Sequence, residues 1–235
     1  MKEHKIGWVY KVIAAIVSCV ILASSIISIL MFTVFYPSER VYRKTRDYQI
    51  IYGIVDTFLS GEKDIFGFGE YKYNSYLLLV PKETPSTLQK FYYRWESGFD
   101  VDDYAFYFEC KLDSDSYNAY ENGLDNFSLS YGGETHNVLK DEEHFDYPTY
   151  IMQWKVSNEK WQVLEYIMMD KINNTVIYAF SMAFGYEDLI NNASYNIAPN
   201  VNLKNVLDTK SFSIYNGKYK VEEMQYDISF LKYLL

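Results

Sequence analysis

With 235 residues, 49% apolar side chains, 25 Tyr and 15 Phe, the chain has enough apolar matter for one folded domain with a sizeable core. Its formal charge of −9 weighs against nucleic-acid binding, which needs a concentrated positive footprint. Only two cysteines are present, Cys19 in an apolar run and Cys110 far downstream, which excludes a disulfide-stapled secreted module.

Residues 1–11 form a short tail with Lys2, Lys5 and Lys11. Val12 to Tyr36 then reads VIAAIVSCVILASSIISILMFTVFY, without a charge. As a helix it spans roughly 37 Å, more than a hydrocarbon core needs. Ser18, Ser24, Ser25, Ser28 and Thr33 can return their hydroxyls to the helix backbone, and Trp8, Tyr10, Phe35 and Tyr36 bring aromatic rings to the two ends. Ala23-Ser24-Ser25 is small enough for a cleavage site, but the apolar run continues well past it, unlike a signal peptide. Ile16-Val17-Ser18-Cys19 loosely matches a lipoprotein box, yet the residues after Cys19 continue the span and form no polar tether. The reading is an uncleaved signal-anchor whose partner is the lipid bilayer. Arg40, Arg43, Lys44 and Arg46 on the far side nearly balance the three lysines of the tail. A short basic tail before a long apolar segment is the plan of an anchor that exports the chain beyond it. The expectation is a single-pass cell-membrane protein with its C-terminal domain extracytoplasmic.

Beyond the anchor, residues 37–235 hold 19 Lys and Arg against 30 Asp and Glu, a formal charge of −11. The expected fold class is α+β: the transmembrane helix, then an antiparallel-sheet domain with flanking helices. Residues 37–60 are predicted as a membrane-proximal amphipathic helix capped by Ser38. Val41, Tyr48, Ile51, Tyr52, Val55, Phe58 and Leu59 lie on its apolar face. Residues 61–235 form the domain. Tyr71–Val80 and Leu88–Trp95 read as strands. From Tyr104 to Leu112 clean alternation predicts a half-buried strand. Ser114 is placed as the cap of a short helix with Tyr117, Tyr120, Leu124 and Phe127 on one face. Tyr131-Gly132-Gly133 ends that region, and residues 134–146 read as a polar, acidic loop. Tyr150 to Phe184 reads as a three-strand meander with short polar turns, both faces of its last two strands carrying bulky residues. Asn216-Gly217 marks a further hairpin turn between Phe212–Tyr215 and Lys218–Val221.

Residues able to carry chemistry are few. His136 and His144 frame an acidic loop with Asp141, Glu142, Glu143 and Asp146, and together could hold a divalent ion; their spacing matches no short ligand motif. Asp113-Ser114-Asp115 begins like a calcium loop but lacks the later Gly and Glu. Cys110 sits among apolar residues and reads as an inert buried thiol. No G-x-S-x-G elbow is present. Tyr71, Tyr73, Tyr76, Tyr92, Tyr93 and Tyr107 fall on predicted strands, where they either line a groove or cover a core. Three N-glycosylation triplets begin at Asn126, Asn173 and Asn192; in a chain this rich in Asn, chance accounts for such triplets. The tail ends in FLKYLL, and Phe230, Leu231, Tyr233, Leu234 and Leu235 are taken as the interface with another membrane or surface protein.

The expected function is therefore a membrane-anchored, non-enzymatic interaction domain, an accessory subunit of a membrane complex or a surface binding protein, with no cofactor. The alternatives are a metal-assisted hydrolase built on His136 and His144, or a sensor or regulatory domain.

Overall fold

The computed structural model describes residues 3–35, 38–52, 78–97, 102–143, 145–154, 161–184, 212–215 and 223–235. It shows an N-terminal apolar helix and a mostly antiparallel sheet domain with a few helices, an α+β architecture. The apolar helix and the sheet core belong to separate compact units.

Helix α1 runs Glu3–Phe35. Its segment Tyr10–Ile29 is long and apolar enough to cross a membrane. Val20, Ile21, Leu22, Ile27 and Ile29 are each at least 60% exposed. The serines cost this helix little, because Ser24 and Ser25 donate their hydroxyls to the Ile21 carbonyl at 2.9 and 2.8 Å.

In the domain, strands β1 (Ser38–Tyr42), β2 (Leu88–Ser97), β3 (Asp102–Lys111), β4 (Ser128–Tyr131), β5 (Glu134–Asn137), β6 (Leu139–Asp141), β7 (Thr149–Trp154), β8 (Trp161–Asp170), β9 (Thr175–Phe184) and β10 (Phe212–Ser213) are joined by helix α2 (Ser114–Asp125) and short 3-10 turns. The main sheet runs β1-β2-β3-β9-β8-β7-β10, with β6 also on β7. The predicted meander is its centre: β8 pairs β9 from Trp161↔Phe184 to Asp170↔Thr175, and β9 pairs β3 from Tyr104↔Met182 to Lys111↔Thr175.

Both faces of this centre are buried. On one face Phe106, Phe108 and Cys110 of β3, Ile167 and Met169 of β8 and Tyr178 and Phe180 of β9 meet Tyr48 and the apolar side of α2. On the other, Ala105, Tyr107, Leu164, Tyr166, Ile177 and Ala179 pack with Phe145, Ile151 and Trp154. The half-buried β3 predicted from alternation is thus corrected, since residues 105–110 are all buried. Alternation separates two faces, but it does not say that one of them is wet.

Several boundaries also move. Residues 38–42, predicted as the start of an amphipathic helix capped by Ser38, form β1, the neighbour of β2 in the sheet. Helical backbone begins only after a 3-10 turn at Thr45–Asp47 and is described over 48–52; there Tyr48, Ile51 and Tyr52 are buried, as their spacing predicts. Residues 53–60 lie outside the described residues. So does most of the predicted Tyr71–Val80 strand, whose last three residues are a buried turn. The predicted loop at 134–146 contains β5 and β6. Gly132 and Gly133, at φ of 59° and 83°, make the tight turn between β4 and β5, a backbone that glycine adopts without strain. Of the predicted hairpin at Asn216-Gly217, only residues 212–215 are described, and β10 there pairs with β7.

The meander has one irregularity. Between Ile151 and Gln153 the register of β7 on β8 shifts, so Met152 is an extra residue. Sequence alternation puts Trp154 with Tyr150 and Met152; the bulge puts it with Ile151 on the opposite face. It also turns Gln153 to directly oppose Glu165.

The cap of α2 is Asp113, not Ser114. Its Oδ1 accepts from the Asp115 and Ser116 backbone N–H groups at 3.0 and 2.9 Å, and its Oδ2 from the Ser116 hydroxyl at 2.8 Å. The Ser116 and Asp115 hydrogen bonds hold the Asp113 carboxyl below its ordinary range. A depressed folded-state pKa contributes stability above the unfolded pKa of about 4, and loses it as pH falls through the folded value. Asp113→Ala should therefore lower the melting temperature by a few degrees at pH 7. That difference from the parent should shrink steadily in melts below pH 4. A pH-independent difference would show that the carboxylate charge is not what caps the helix.

Candidate functional site

The predicted residues are not brought together as one site. His136 lies on β5 opposite Leu129. Its ring stacks on Tyr131, centroids 4.2 Å apart and 12° from parallel. Its Nε2 is 3.9 Å from the Glu134 carboxylate, too far for a hydrogen bond. His144 lies outside the described residues. Among the described residues there is no group of three or more His, Cys, Asp or Glu side chains placed to hold a metal ion.

The tail is placed more decisively. Phe230, Leu231 and Leu234 are buried in the main core, Tyr233 is half-buried and Leu235 is exposed. A 3-10 turn over Ser229–Tyr233 carries them. The Phe230 ring meets Tyr120 and Phe127 edge-on at 5.2 and 6.1 Å. It fills the space over Gly123 of α2, where any Cβ would overlap it. The Thr87 hydroxyl donates to the Leu234 carbonyl at 2.7 Å. This corrects the interface expectation for Phe230, Leu231 and Leu234. An apolar triplet looks the same in sequence whether its partner is the chain itself or another protein.

The tyrosines divide similarly. Tyr93 and Tyr107 are buried, and Tyr92 is half-buried under the Arg43 guanidinium, 5.7 Å from its ring centroid. Tyr71, Tyr73 and Tyr76 lie outside the described residues. Cys110 is fully buried, and burial pushes its thiol up to about 12, so it stays protonated and unreactive.

Three polar clusters emerge instead. The deepest is Glu165, with no solvent exposure, at the middle of β8. Its carboxylate accepts from the Tyr178 hydroxyl at 2.8 Å, the Gln153 amide at 2.9 Å and, more weakly, the Tyr215 hydroxyl at 3.4 Å. It thereby joins β8 to β9, β7 and the segment just after β10. Burial, and then the Glu165 carboxylate, hold the Tyr178 phenol well above its ordinary pKa, fixing it as a donor. The Gln153 Oε1 is buried without a hydrogen-bond partner. On the opposite face of the sheet, Glu109 of β3 receives the Tyr107 hydroxyl and the Lys90 ammonium, the latter at 2.9 Å. At the surface, Asp125 at the end of α2 accepts from Lys140 at 3.0 Å and from Tyr150 at 2.7 Å, while the Lys140 ammonium lies 5.1 Å from the Tyr150 ring centroid. Partial burial works against the Asp125 charge, but the bonds from Tyr150 and Lys140 outweigh it and lower the carboxyl.

Each cluster ties one element to the next across the sheet, which is a structural job. Residue reasoning passes over Glu165 and Gln153, although a signal exists. Glu165 is the lone charge in the middle of WQVLEYIMMD, a segment with bulky residues on both faces, so its side chain has no wet side to choose. Comparison of the chain with protein-family models, with curated proteins and with solved structures finds no match.

Proposed function

We propose that the protein is a single-pass membrane protein whose acidic domain is an extracytoplasmic, non-enzymatic interaction module, either an accessory subunit of a membrane complex or a surface binding protein. The observation that carries this reading is α1. Its side chains over residues 11–29 are exposed, and nearly all of them are apolar. In water such a surface is strongly unfavourable, and a bilayer removes the cost. Only residues 36 and 37 separate α1 from β1, so the tether is short. Tethering raises the domain's effective concentration near other membrane components and strengthens a weak contact without adding an atom to it. The net charge of −11 on residues 37–235 discourages adhesion to anionic lipid and favours a partner with a basic face.

Cross-linking in intact membranes tests the reading. The full chain is expected to yield a reproducible adduct with one membrane or surface protein. A version lacking residues 3–35, supplied at the same concentration, is expected to lose most of that adduct. Equal adduct formation without α1 would remove tethering as the mechanism.

A further inference from the structure

Of the three N-glycosylation triplets, the structure describes two acceptor positions, and it treats them differently. Asn126 closes α2, its side-chain amide donating to the Asn122 carbonyl at 2.7 Å, and the next residue, Phe127, is buried in the core. Its triplet Asn126-Phe127-Ser128 is therefore folded into the helix end and the start of β4. Asn173 instead stands in the four-residue turn Lys171–Asn174 between β8 and β9. Lys171, Ile172 and Asn173 are all exposed, Ile172 by 89%.

The turn is well defined. Asp170, itself buried, accepts from the Ile172 and Asn173 backbone N–H groups at 3.0 and 3.1 Å. Asn174 has the left-handed φ of 51°, its carbonyl accepts from the Leu112 N–H at 2.9 Å, and its side chain reaches the Ser114 hydroxyl at 3.1 Å. The hydroxyl of Thr175, the third residue of the triplet, points back to the Asn173 carbonyl at 3.4 Å. The Asn173 amide donates to Asp170 at 2.7 Å, a bond that uses one of its two N–H hydrogens and leaves the other for substitution.

We propose that Asn173 is an acceptor for N-linked oligosaccharide, and that the attached sugar covers the exposed Ile172 beside it. The inference rests on the extracytoplasmic placement of the domain proposed above. The donor is a lipid-diphosphate-linked oligosaccharide. The bond between sugar C1 and the diphosphate oxygen breaks, and the bond from C1 to Asn173 Nδ2 forms. The lipid diphosphate leaves with the electron pair, and the amide gives up one proton to a base. The remaining N–H keeps the contact with Asp170, so modification and the native turn are compatible. Ile172 supplies the second argument: an apolar side chain this exposed at a rigid hairpin tip has no cover within the chain.

The test is translation of the full chain in the presence of endoplasmic-reticulum microsomes, whose own lipid-linked oligosaccharide is the probe. Each product is divided between peptide N-glycosidase treatment and protease digestion with and without detergent. The expected result is a glycosidase-sensitive increase in apparent mass that disappears in both Asn173→Gln and Thr175→Ala. The second variant keeps the Asn173 side chain and its bond to Asp170, so its effect reports the triplet and not the turn. A domain protected from protease yet carrying no sugar, or carrying sugar that survives both variants, overturns the assignment of Asn173 and leaves the orientation standing. A domain digested without detergent overturns the orientation, and the glycan with it.

Discussion

A chain ending at Ser229 is expected to lose the cooperative unfolding of its domain, because the last residues complete the core. Phe230, Leu231 and Leu234 are each under a tenth exposed. Phe230 lies against Tyr120, Phe127 and the bare face of Gly123. Phe230→Ala alone should cost about 3–5 kcal/mol, the range for removing a buried aromatic ring and leaving a cavity. Gly123→Ala should also destabilise the domain, since its methyl enters the space that Phe230 fills. The two substitutions should be strongly non-additive: once the ring is gone, the added methyl fills part of the void. Denaturant melts of the full chain in detergent, followed by tryptophan fluorescence, read both effects. Removing Leu235, which is exposed, should shift stability by less than about 0.5 kcal/mol. Additive effects of Gly123→Ala and Phe230→Ala, or a native melt from the chain ending at Ser229, would mean that the tail is docked loosely and remains available to a partner.

The second large effect is expected at Glu165. Glu165→Ala deprives the Tyr178 hydroxyl and the Gln153 amide of their acceptor inside a dry core. The expected cost is about 3–5 kcal/mol, as for other buried polar partners broken on one side. Glu165→Gln should behave quite differently. The new amide oxygen can still accept from Tyr178, and its NH2 can donate to Gln153 Oε1, which is buried and unpartnered in the native protein. Its stability should lie within about 1 kcal/mol of the parent. The pair of variants separates two roles. If Glu165 is a structural tie, Glu165→Gln retains the cross-linked adduct and only Glu165→Ala loses it. Loss of the adduct in a fully stable Glu165→Gln protein would show that the carboxylate itself is functional.

How much of the fold is legible in the sequence depends on how local each signal is. The charge-free run from Val12 to Tyr36 is local, and α1 is there. The alternation at Tyr104–Leu112 and the turns after Val156 and Asp170 are local as well, and β3, β8 and β9 match them. Strand β1 is hidden because the pattern of residues 37–60 suits a helix, and the sheet neighbour that decides otherwise, β2, lies some distance along the chain. The bulge at Met152 is hidden because Tyr150, Ile151, Met152 and Trp154 are all large and apolar, so a phase slip leaves no mark on the pattern. The β4–β5 hairpin is readable from Gly132-Gly133, but the polar residues of β5 conceal a strand that lies at the surface of a small second sheet. The candidate site is the least legible part. Apolar tail residues carry the same pattern whether they fold inward or bind outward, and buried Glu165 resembles any surface glutamate until its neighbours are known.

The membrane-anchored, outward-facing domain is tested most directly by protease shaving of intact cells that carry an epitope at the C-terminus, with alkaline carbonate extraction of the undigested control. The account predicts that the epitope is lost without lysis and that the undigested chain stays with the membrane pellet. Protection of the epitope until the cells are lysed, with the chain still in the pellet, would contradict it by placing the acidic domain in the cytoplasm.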